Sequence, residues 1–595
     1  MELLDLDGVI EKGVFEIPSY QRGYAWQKEQ LKDFWNDLEH VSKLGNQFHY
    51  MHSLTLRELE NDFENSAFEI IDGQQRLATS LILLGLLAKT TQNKDPKYSL
   101  INLEPILSYK YYGLSEAFRA ITEEEKDLEA FKTSFYAKNL IEAYEFFQEK
   151  IRNLPNTTLN KLLDALTKKM LFSVVGLDDN RIDPFSSFET INNRGKDLST
   201  LELLKNRLHF VAHKICDEED LSLQQEINDT YTRIYHDLRQ FEDAHLEGFL
   251  KHFVAYYYGE NSKFKERLLD TEFDAHKKYH SPYDEYEKIN DLLLYLSYSS
   301  KVWYFLHTLD DEELRIEITP KMHSLLEKMR RLNALSDNAF LPLLLSLLTI
   351  QLVGRSGNER HYTTKELEDL LEYLERFGFL IYGVAGKKTA KNEWIELAFK
   401  AIQACRFWGD KITIEDLPTL EENFFKGKHS ALELLEEYIH SKKNAEKKWY
   451  GVKALNYLLY EYELHHNPET TLNFDGSIES IEHILPQNPD QGYSAKEKNW
   501  AKNPHIVHAL GNLLLIPKNA NSSLSNKPFD EKRKQYLKGS YSEKEVAKNA
   551  SFGAEQIKER SEKLLDFLIA HYRIAALVGE SAIKAFKNAL LKDIK

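Results

Sequence analysis

The sequence contains few cysteines, few glycines and prolines, and no long apolar run. Its 595 residues include two cysteines, Cys216 and Cys405, which excludes a disulfide scaffold and a cysteine-rich zinc site. Glycine (25) and proline (15) are too sparse for a collagenous or low-complexity chain. The longest apolar stretch, around Phe340–Ile350, is shorter than the roughly 20 residues that a transmembrane helix needs. We therefore expect no membrane partner.

The remaining composition is that of a globular protein, with 42% hydrophobic and 29% charged residues. The segment MELLDLDGVIEKG is acidic and lacks the basic and then apolar order of a secretory signal. With so few cysteines, we expect a reduced, cytoplasmic protein. The length alone favours three or four domains.

Charge is unevenly distributed along this acidic chain, whose net charge is -17. Residues 441–595 carry 24 Lys and Arg against 19 Asp and Glu, whereas residues 1–440 carry 53 against 75. The mildly basic charge of the C-terminal region is compatible with one nucleic-acid-binding surface there. Because a solvated lysine-rich face has the same composition, charge alone does not identify the partner.

The pattern of apolar residues divides the chain into three regions, 1–210, 211–440 and 441–595. The first mixes helices with short β-like runs at Phe68–Ile71, Leu171–Gly176 and Phe185–Ile191. The second is helical, and the third has short apolar runs, many asparagines and closing helices. We predict a mostly α protein with α+β modules at both ends.

Three polar loops of the first region each carry an arginine. The loop IPSYQRGYAW places Gln21 and Arg22 among aromatic residues. The arginine could bind a phosphate with its planar fork of donors, or it could cap a carbonyl in a packed loop. A helix follows, because apolar residues recur at helical spacing at Leu31, Phe34, Trp35 and Leu38.

The second loop, in FEIIDGQQRLAT, follows an apolar run that ends at Asp72 and precedes a helix. Leu77, Leu81, Leu84 and Ala88 fall on one side of that helix and predict one apolar face. Free amides and the helix dipole favour an anion at such a helix N-terminus, and Arg76 adds positive charge. Asp72 could also hold a metal or accept a ribose hydroxyl. Asp-Gly is, however, a common turn signal, so the motif is weak by itself.

The third loop, in FETINNRGKDLS, repeats the same arrangement. Asn193 and Arg194 follow an apolar run, and Ser199 with Glu202 forms a capping box that predicts the start of a helix. Three arginine-bearing loops of one kind indicate an anion site more strongly than one loop does.

Taken together, the three loops resemble the N-terminal domain of GmrSD-type, modification-dependent (type IV) restriction proteins. That resemblance implies a ParB/sulfiredoxin-like α+β fold over residues 1–210, acting as a nucleotide-binding sensor for ATP, GTP or CTP. The nucleotide-binding residues that it implies are Gln21, Arg22, Asp72, Gly73, Gln74, Gln75, Arg76, Asn193 and Arg194. Two positions depart from the family pattern: His52 stands where glycine is usual, and Ala78 where threonine is common.

The C-terminal region contains residues suited to phosphodiester hydrolysis. Glu482 and His483 are adjacent at the end of a β-like run, and a second apolar run opens with Asn512. Hydrolysis needs a base near neutral pH and a hard cation on the phosphate. A histidine suits the base, and carboxylate or amide oxygens suit the cation.

This pattern resembles an HNH (ββα-metal) nuclease, the GmrD half of the same restriction proteins. The resemblance assigns Glu482 to Mg²⁺ or Mn²⁺, His483 to the general base and Asn512 to orienting that base. It assigns Asn521, or alternatively Asn526, to the second metal ligand. Lys527, Lys532 and Arg533 are plausible DNA phosphate contacts. The remaining histidine pairs are interpreted as surface or second-layer residues: His465 with His466, and His505 with His508.

The sequence therefore predicts a type IV restriction endonuclease of three parts: a nucleotide-responsive sensor, a helical middle at 211–440 and an HNH nuclease at 441–595. Its expected partners are modified double-stranded DNA and a nucleoside triphosphate. The protein would bind and hydrolyse the nucleoside triphosphate, and a homodimer is left open. The rival interpretation is a nucleotide-driven DNA-binding clamp without nuclease activity. A third, weaker option is an RNA target.

Overall fold

A computed structural model provides the structure of the chain. It describes residues 2–45, 47–59, 66–93, 95, 98, 106–110, 112–177, 198–216, 221–239, 241, 243–260, 263–274, 277, 279, 281–312, 314, 316–353, 362–407, 409–420, 431–440, 447–472, 478–489 and 492–595. The chain forms two compact units, residues 1–316 with 345–359 and residues 317–344 with 360–595. The division into three regions stays a prediction.

The first unit contains a mixed six-stranded sheet in the order β1-β6-β3-β4-β2-β5. The strands are β1 (Glu2–Leu4), β2 (Val14–Ile17), β3 (His49–Leu59), β4 (Ala67–Asp72), β5 (Leu107–Tyr109) and β6 (Met170–Gly176). β2 runs parallel to β4 and β5, β3 runs parallel to β6, and the other pairs are antiparallel. The strands predicted around Phe68 and Leu171 are confirmed, and Phe185–Ile191 lies outside the described residues.

Helices alternate with these strands along the chain, and further helices follow the last strand. They are α1 (Leu6–Lys12), α2 (Lys28–Lys43), α3 (Gln74–Thr90), α4 (Tyr112–Thr122), α5 (Phe135–Ile151), α6 (Asn156–Lys168), α7 (Thr200–Ile215), α8 (Ser222–Asp237), α9 (Asp243–Tyr258) and α10 (Pro282–Thr308). The capping box of Ser199 and Glu202 begins α7 as predicted.

Helix α3 is buried on every side over most of its length, from Leu77 to Ala88. The sequence predicted one apolar face, and α2 does follow that pattern, with Leu31, Phe34, Trp35 and Leu38 buried. The difference arises because α3 packs against both α5 and α6. A helix enclosed in this way needs apolar or small residues all round.

The second unit is largely helical. The helices from residue 320 onward are α11 (Pro320–Leu335), α12 (Leu341–Val353), α13 (Thr364–Phe377), α14 (Lys391–Phe407), α15 (Ala431–His440), α16 (Leu455–His466), α17 (Ala495–Ala501), α18 (Pro504–Val507), α19 (Lys518–Leu524), α20 (Phe529–Tyr536), α21 (Tyr541–Ala547), α22 (Ala554–His571), α23 (Ala575–Val578) and α24 (Glu580–Leu591). All of them belong to this unit except α12, which belongs to the first unit from residue 345 onward. A π-helical turn, Gly378–Val384, extends α13.

Two strands in this unit form an antiparallel pair, β7 (Glu479–His483) with β8 (Leu513–Pro517). Helix α19 begins directly after β8 and packs against both strands. The resulting strand-strand-helix order is the one expected for the C-terminal region. None of the helices in the described residues is long and apolar enough to cross a membrane.

The structure thus confirms a mostly helical chain with a small mixed sheet in its N-terminal part. The likeness to ParB and sulfiredoxin, and the ββα-metal identity of the C-terminal region, stay predictions.

A buried carboxylate on α13 makes the stability of the second unit depend on pH. Glu375 accepts hydrogen bonds from the hydroxyls of Tyr457 and Tyr572, and its neighbour Glu461 forms a buried ion pair with Lys328 at 2.8 Å. Burial and the charge of Glu461 raise the pKa of Glu375 to about 7. The folded state therefore binds more protons than the unfolded state between roughly pH 4.5 and 7.

We expect the free energy of unfolding of this unit to fall as pH rises through that window, by about 3 kcal/mol for a shift of this size. Glu375→Gln keeps an acceptor for both tyrosines and removes the titration, so the decline should shrink. Thermal unfolding from pH 5 to 8 measures it, with the half-exposed Glu372→Gln on the same helix as control. An unchanged pH profile in Glu375→Gln would contradict this account.

Candidate functional site

Two of the three predicted loops lie at one edge of the sheet because their strands are parallel. β2 and β4 are aligned with Glu16 beside Glu69, so the chain leaves both strands in the same direction. Gln21 then donates from Nε2 to the carbonyls of Ile70 and Ile71. The first loop is thus fastened to the end of the strand that carries the second.

Glutamine side chains of the second loop complete this junction. Gln74 Nε2 donates to the carbonyl of Arg22 at 3.1 Å. Gln75 accepts from the Ala25 amide and donates to the Gly23 carbonyl, both at 2.9 Å. Because both ends of the Gln75 amide are used, its role in this structure is to hold the first loop.

Two glycines are required by close approach at this junction. Gly73 caps α3 with φ of +100°, and a Cβ there would lie 2.9 Å from the Ser53 carbonyl oxygen. A Cβ on Gly23 would lie 2.4 Å from the ring of Tyr136. A side chain at Gly73 would clash with β3, and one at Gly23 would clash with Tyr136 on α5.

Asp72 and Arg76 form an ion pair at the N-terminus of α3. Arg76 donates to Asp72 Oδ2 at 3.2 Å and to the Ser53 carbonyl at 2.6 Å, and the Ser53 hydroxyl also donates to Asp72. His52, which stands where the family usually has glycine, adopts φ of +63°, a region that favours glycine. The position is therefore strained for histidine and natural for glycine.

Three buried polar atoms at this junction bond to no group in the described part of the chain. They are Oε1 of Gln21, Oε1 of Gln74 and Nε of Arg76. Two acceptors and one cationic donor suit a ligand that carries hydroxyl or amino groups together with an anion. A nucleotide has all of these groups, so the residues fit the expected ligand.

The third predicted loop cannot be placed, because Asn193 and Arg194 lie outside the described residues. The helix that follows it is described, and Glu202 at its start accepts from the hydroxyl of Tyr136 at 2.5 Å. Since Tyr136 also lies against Gly23, the start of α7 and the first loop contact the same side chain. Sequence reasoning missed Tyr136, which no motif marked.

In the second unit, His483 ends β7 and lies close to His508. The distance from His483 Nε2 to His508 Nδ1 is 3.0 Å, and Gln487 Nε2 lies 3.4 Å from His483 Nδ1. A tautomer with the His483 proton on Nε2 satisfies both contacts, because the amide nitrogen of Gln487 only donates. Burial, with smaller effects of His508 and Lys532, lowers the pKa of His483 to about 3.

His508 and Tyr450 are parts of this site that the motif analysis did not assign to it. Tyr450 is 42% exposed, and its ring lies 4.9 Å from that of His483 and 5.6 Å from that of His508. Burial also lowers the pKa of His508, so the histidine pair is neutral at pH 7. Only tertiary contacts identify either residue, since the nearest in sequence is 25 positions from His483.

Asn512 fixes the segment that follows His483. It is fully buried, accepts from the Leu485 amide, and donates to the carbonyls of Leu485 and Val507. Its hydrogen bonds go to backbone groups and not to the imidazole. In this structure Asn512 positions His483 through the main chain.

Glu482 is buried in an ion pair with Lys532. Lys532 has no exposed side-chain surface, and its Nζ lies 2.5 Å from Glu482 Oε1 and 2.8 Å from the His483 carbonyl oxygen. Tyr536 donates to the same carboxylate oxygen at 3.0 Å. Burial raises the pKa of Glu482 and lowers that of Lys532, and the attraction between them offsets part of each shift. This placement does not suit the predicted contact of Lys532 with a DNA phosphate.

The remaining predicted residues lie around this pair with differing exposure. Asn521 is half-buried on α19 and donates to the Ser480 hydroxyl and the Ile481 carbonyl, which leaves its Oδ1 without a protein donor in the described residues. Asn526 is half-buried, Lys527 is exposed, and Arg533 donates to the Ala547 carbonyl. Lys527 is therefore the predicted phosphate contact whose side chain is most open to solvent.

Oxygen donors for a hard cation are thus present, but one of them, the Glu482 carboxylate, is already paired with Lys532. Asn521 offers an amide oxygen, whereas Glu482 Oε1 already binds an ammonium and a hydroxyl. A divalent cation at Glu482 would have to share that carboxylate with Lys532 or displace it. Oxygen ligands are those that Mg²⁺ or Mn²⁺ prefers, whereas the positive charge of the buried Lys532 would repel either cation.

Comparison with protein families matches both ends of the chain. Residues 3–209 match the GmrSD restriction endonuclease N-terminal domain, and residues 435–567 match the GmrSD restriction endonuclease C-terminal domain. No curated protein matches the chain. The two matched segments together make up more than half of the sequence and support a restriction endonuclease role with DNA as the substrate. The chain belongs to the GmrSD family of restriction endonucleases.

Proposed function

We propose that this protein is a modification-dependent endonuclease that cuts foreign DNA, including phage DNA, at His483, under the control of a nucleotide bound in its first unit. One observation carries the proposal: a neutral histidine pair at the end of β7, with the following segment held by Asn512 and with Glu482 alongside. Gripping DNA would not require this arrangement.

The general-base role rests on His483 being neutral at pH 7, although its pKa of about 3 makes it a weak base until a phosphate anion beside it raises that pKa. His483 Nδ1 would take a proton from water as the water oxygen bonds to phosphorus and the bond to the leaving sugar oxygen breaks. The leaving oxygen would take up a proton from solvent. The Nε2 proton of His483 faces His508, whose imidazole stabilises the imidazolium as it forms. Tyr450 packs against both rings and is partly exposed to solvent.

A divalent cation is the expected cofactor at this site. Mg²⁺ or Mn²⁺ would be held by Glu482 and Asn521, with Asn526 as the alternative ligand, and would supply Lewis-acid stabilisation of the phosphate. The exposed Lys527 is positioned to attract the DNA backbone.

The first unit is proposed to bind a nucleoside triphosphate and to hydrolyse it. The support is the set of unpaired polar atoms on Gln21, Gln74 and Arg76 beside the N-terminus of α3. For nucleotide to regulate cleavage, it must bind the active and inactive states with different affinities.

The rival function is a nucleotide-driven clamp that binds DNA without cutting it. Its support is the ion pair of Glu482 with Lys532, which is a sufficient structural reason for that carboxylate. Incubation with modified phage DNA, with and without Mg²⁺ or Mn²⁺, separates the two functions by the presence of strand breaks.

We expect His483→Ala to reduce the cleavage rate by roughly 10²- to 10⁴-fold, since it removes the general base. DNA binding and thermal unfolding should change little. The measurement is strand cleavage of modified DNA, with the exposed His465→Ala as control. Cleavage near the wild-type rate would rule out His483 as the base.

Cleavage should require Mg²⁺ or Mn²⁺ and should stop with a chelator. Glu482→Gln, which keeps the shape but removes a charge, should raise the metal concentration for half-maximal cleavage by about tenfold or more. A metal titration of the cleavage rate tests this, with Glu497→Gln on α17 as control. Full activity in excess chelator would refute the cofactor assignment.

Arg76→Ala should weaken nucleotide binding by about tenfold to a hundredfold, because it removes a charge-assisted donor. DNA cleavage should lose its response to nucleotide, although Arg76 and His483 belong to different units. Calorimetric titration and cleavage assays measure these effects, and the exposed Arg119→Ala serves as control. Unchanged nucleotide affinity would show that the loop is structural.

A further inference from the structure

Three residues that are distant in sequence meet in the second unit: His440 at the end of α15, His505 on α18 and Asp593 after α24. One ligand atom from each lies within 4.8 Å of the others. None of the three contributes to the histidine pair at His483. The imidazole rings of His440 and His505 face each other with centroids 5.8 Å apart and planes inclined by 26°.

The distances from the two histidines to the carboxylate are those of metal ligands. Nδ1 of His440 and Nδ1 of His505 lie 3.4 and 3.6 Å from the same oxygen, Oδ2 of Asp593. Both exceed the range of an ordinary N–H to O hydrogen bond, 2.7 to about 3.2 Å. Ligands at about 2.0–2.2 Å from a tetrahedral cation lie roughly 3.3–3.5 Å from one another.

The second nitrogen of His440 gives independent support. Its Nε2 lies 3.1 Å from the carbonyl oxygen of Ala589, which can only accept. The proton is therefore on Nε2, and the lone pair of Nδ1 points toward the shared carboxylate. A backbone carbonyl behind the distal nitrogen is the usual support of a metal-bound histidine.

We propose that His440, His505 and Asp593 bind a divalent transition-metal cation, Zn²⁺ foremost, with water completing its coordination. Two imidazole nitrogens and one carboxylate favour Zn²⁺ over Mg²⁺, which prefers oxygen ligands. The site is separate from the cation proposed for cleavage. The sequence suggested no such site, because His505 had no third ligand near it in the chain.

Two cationic side chains near the cluster limit binding. The charges of Lys448 and Lys592 both act on His505 and would repel a cation held there. We therefore expect a weaker affinity than that of a zinc site with no cation nearby.

The cation would join three chain segments near the nuclease site. His505 stands three residues before His508, the partner of His483. A metal at His505 would hold that segment to α15 and to the chain after α24. Its role is structural, and its loss should lower stability before it affects chemistry.

The test is metal content and thermal unfolding of the full chain. Protein loaded with Zn²⁺ and dialysed without chelator should retain about one zinc per chain, and His440→Gln and Asp593→Asn should each lose it. The half-exposed His323→Gln should retain it. Zn²⁺ at about a hundred times its Kd should raise the Tm of wild type by roughly 5 °C, and this rise should vanish in both ligand variants.

Zinc content and a Tm rise that are equal in wild type, His440→Gln and Asp593→Asn would overturn the proposal. The same holds if wild type retains no zinc and shows no rise. Both readouts are independent of DNA cleavage, so failure here leaves the nuclease assignment unaffected. If a ligand variant does not fold, the visible absorption spectrum of wild-type protein loaded with Co²⁺ replaces the comparison with that variant. A spectrum that lacks the bands of Co²⁺ bound by nitrogen ligands would equally overturn the site.

Discussion

The buried ion pair of Lys532 with Glu482 holds strand β7 to helix α20. Taking both charges out of water costs several kcal/mol each, which their attraction repays only with good geometry and further hydrogen bonds. Tyr536 and the His483 carbonyl supply those bonds. Removing one partner would leave the other charge buried and alone, so β7 and α20 depend on each other.

This constraint explains how a histidine with a low pKa is kept in place. The lysine holds the His483 carbonyl, and Asn512 holds the next backbone groups, so the imidazole is positioned without a direct bond from either side chain. His508, Gln487 and Tyr450 are the groups that lie against the ring. A substrate phosphate would raise the basicity of such a histidine when it binds, whereas a nearby cation would lower it.

In the first unit, the candidate site depends on the parallel direction of β2 and β4. Parallel strands bring two loops to one edge, and Gln21, Gln74 and Gln75 fasten them through backbone groups. Polar atoms that these bonds do not use remain buried at the junction. The loops are therefore preorganised for a ligand, which lowers the cost of binding it.

The sequence alone determined the local features: the strands ending at Asp72 and His483, the capped start of α7 and the apolar face of α2, because these follow from periodicity and capping within a few residues. It also marked the motifs that identify the family. Tertiary structure alone decided that Lys532 is buried and that Gln75 holds the first loop by hydrogen bonds. It also placed His508 and Tyr450 beside His483, and Tyr136 beside the first loop. It likewise brought His440 and Asp593 to His505. Partners separated by 25 or more positions leave no local pattern, since only packing of the whole unit decides which distant side chains share a desolvated space.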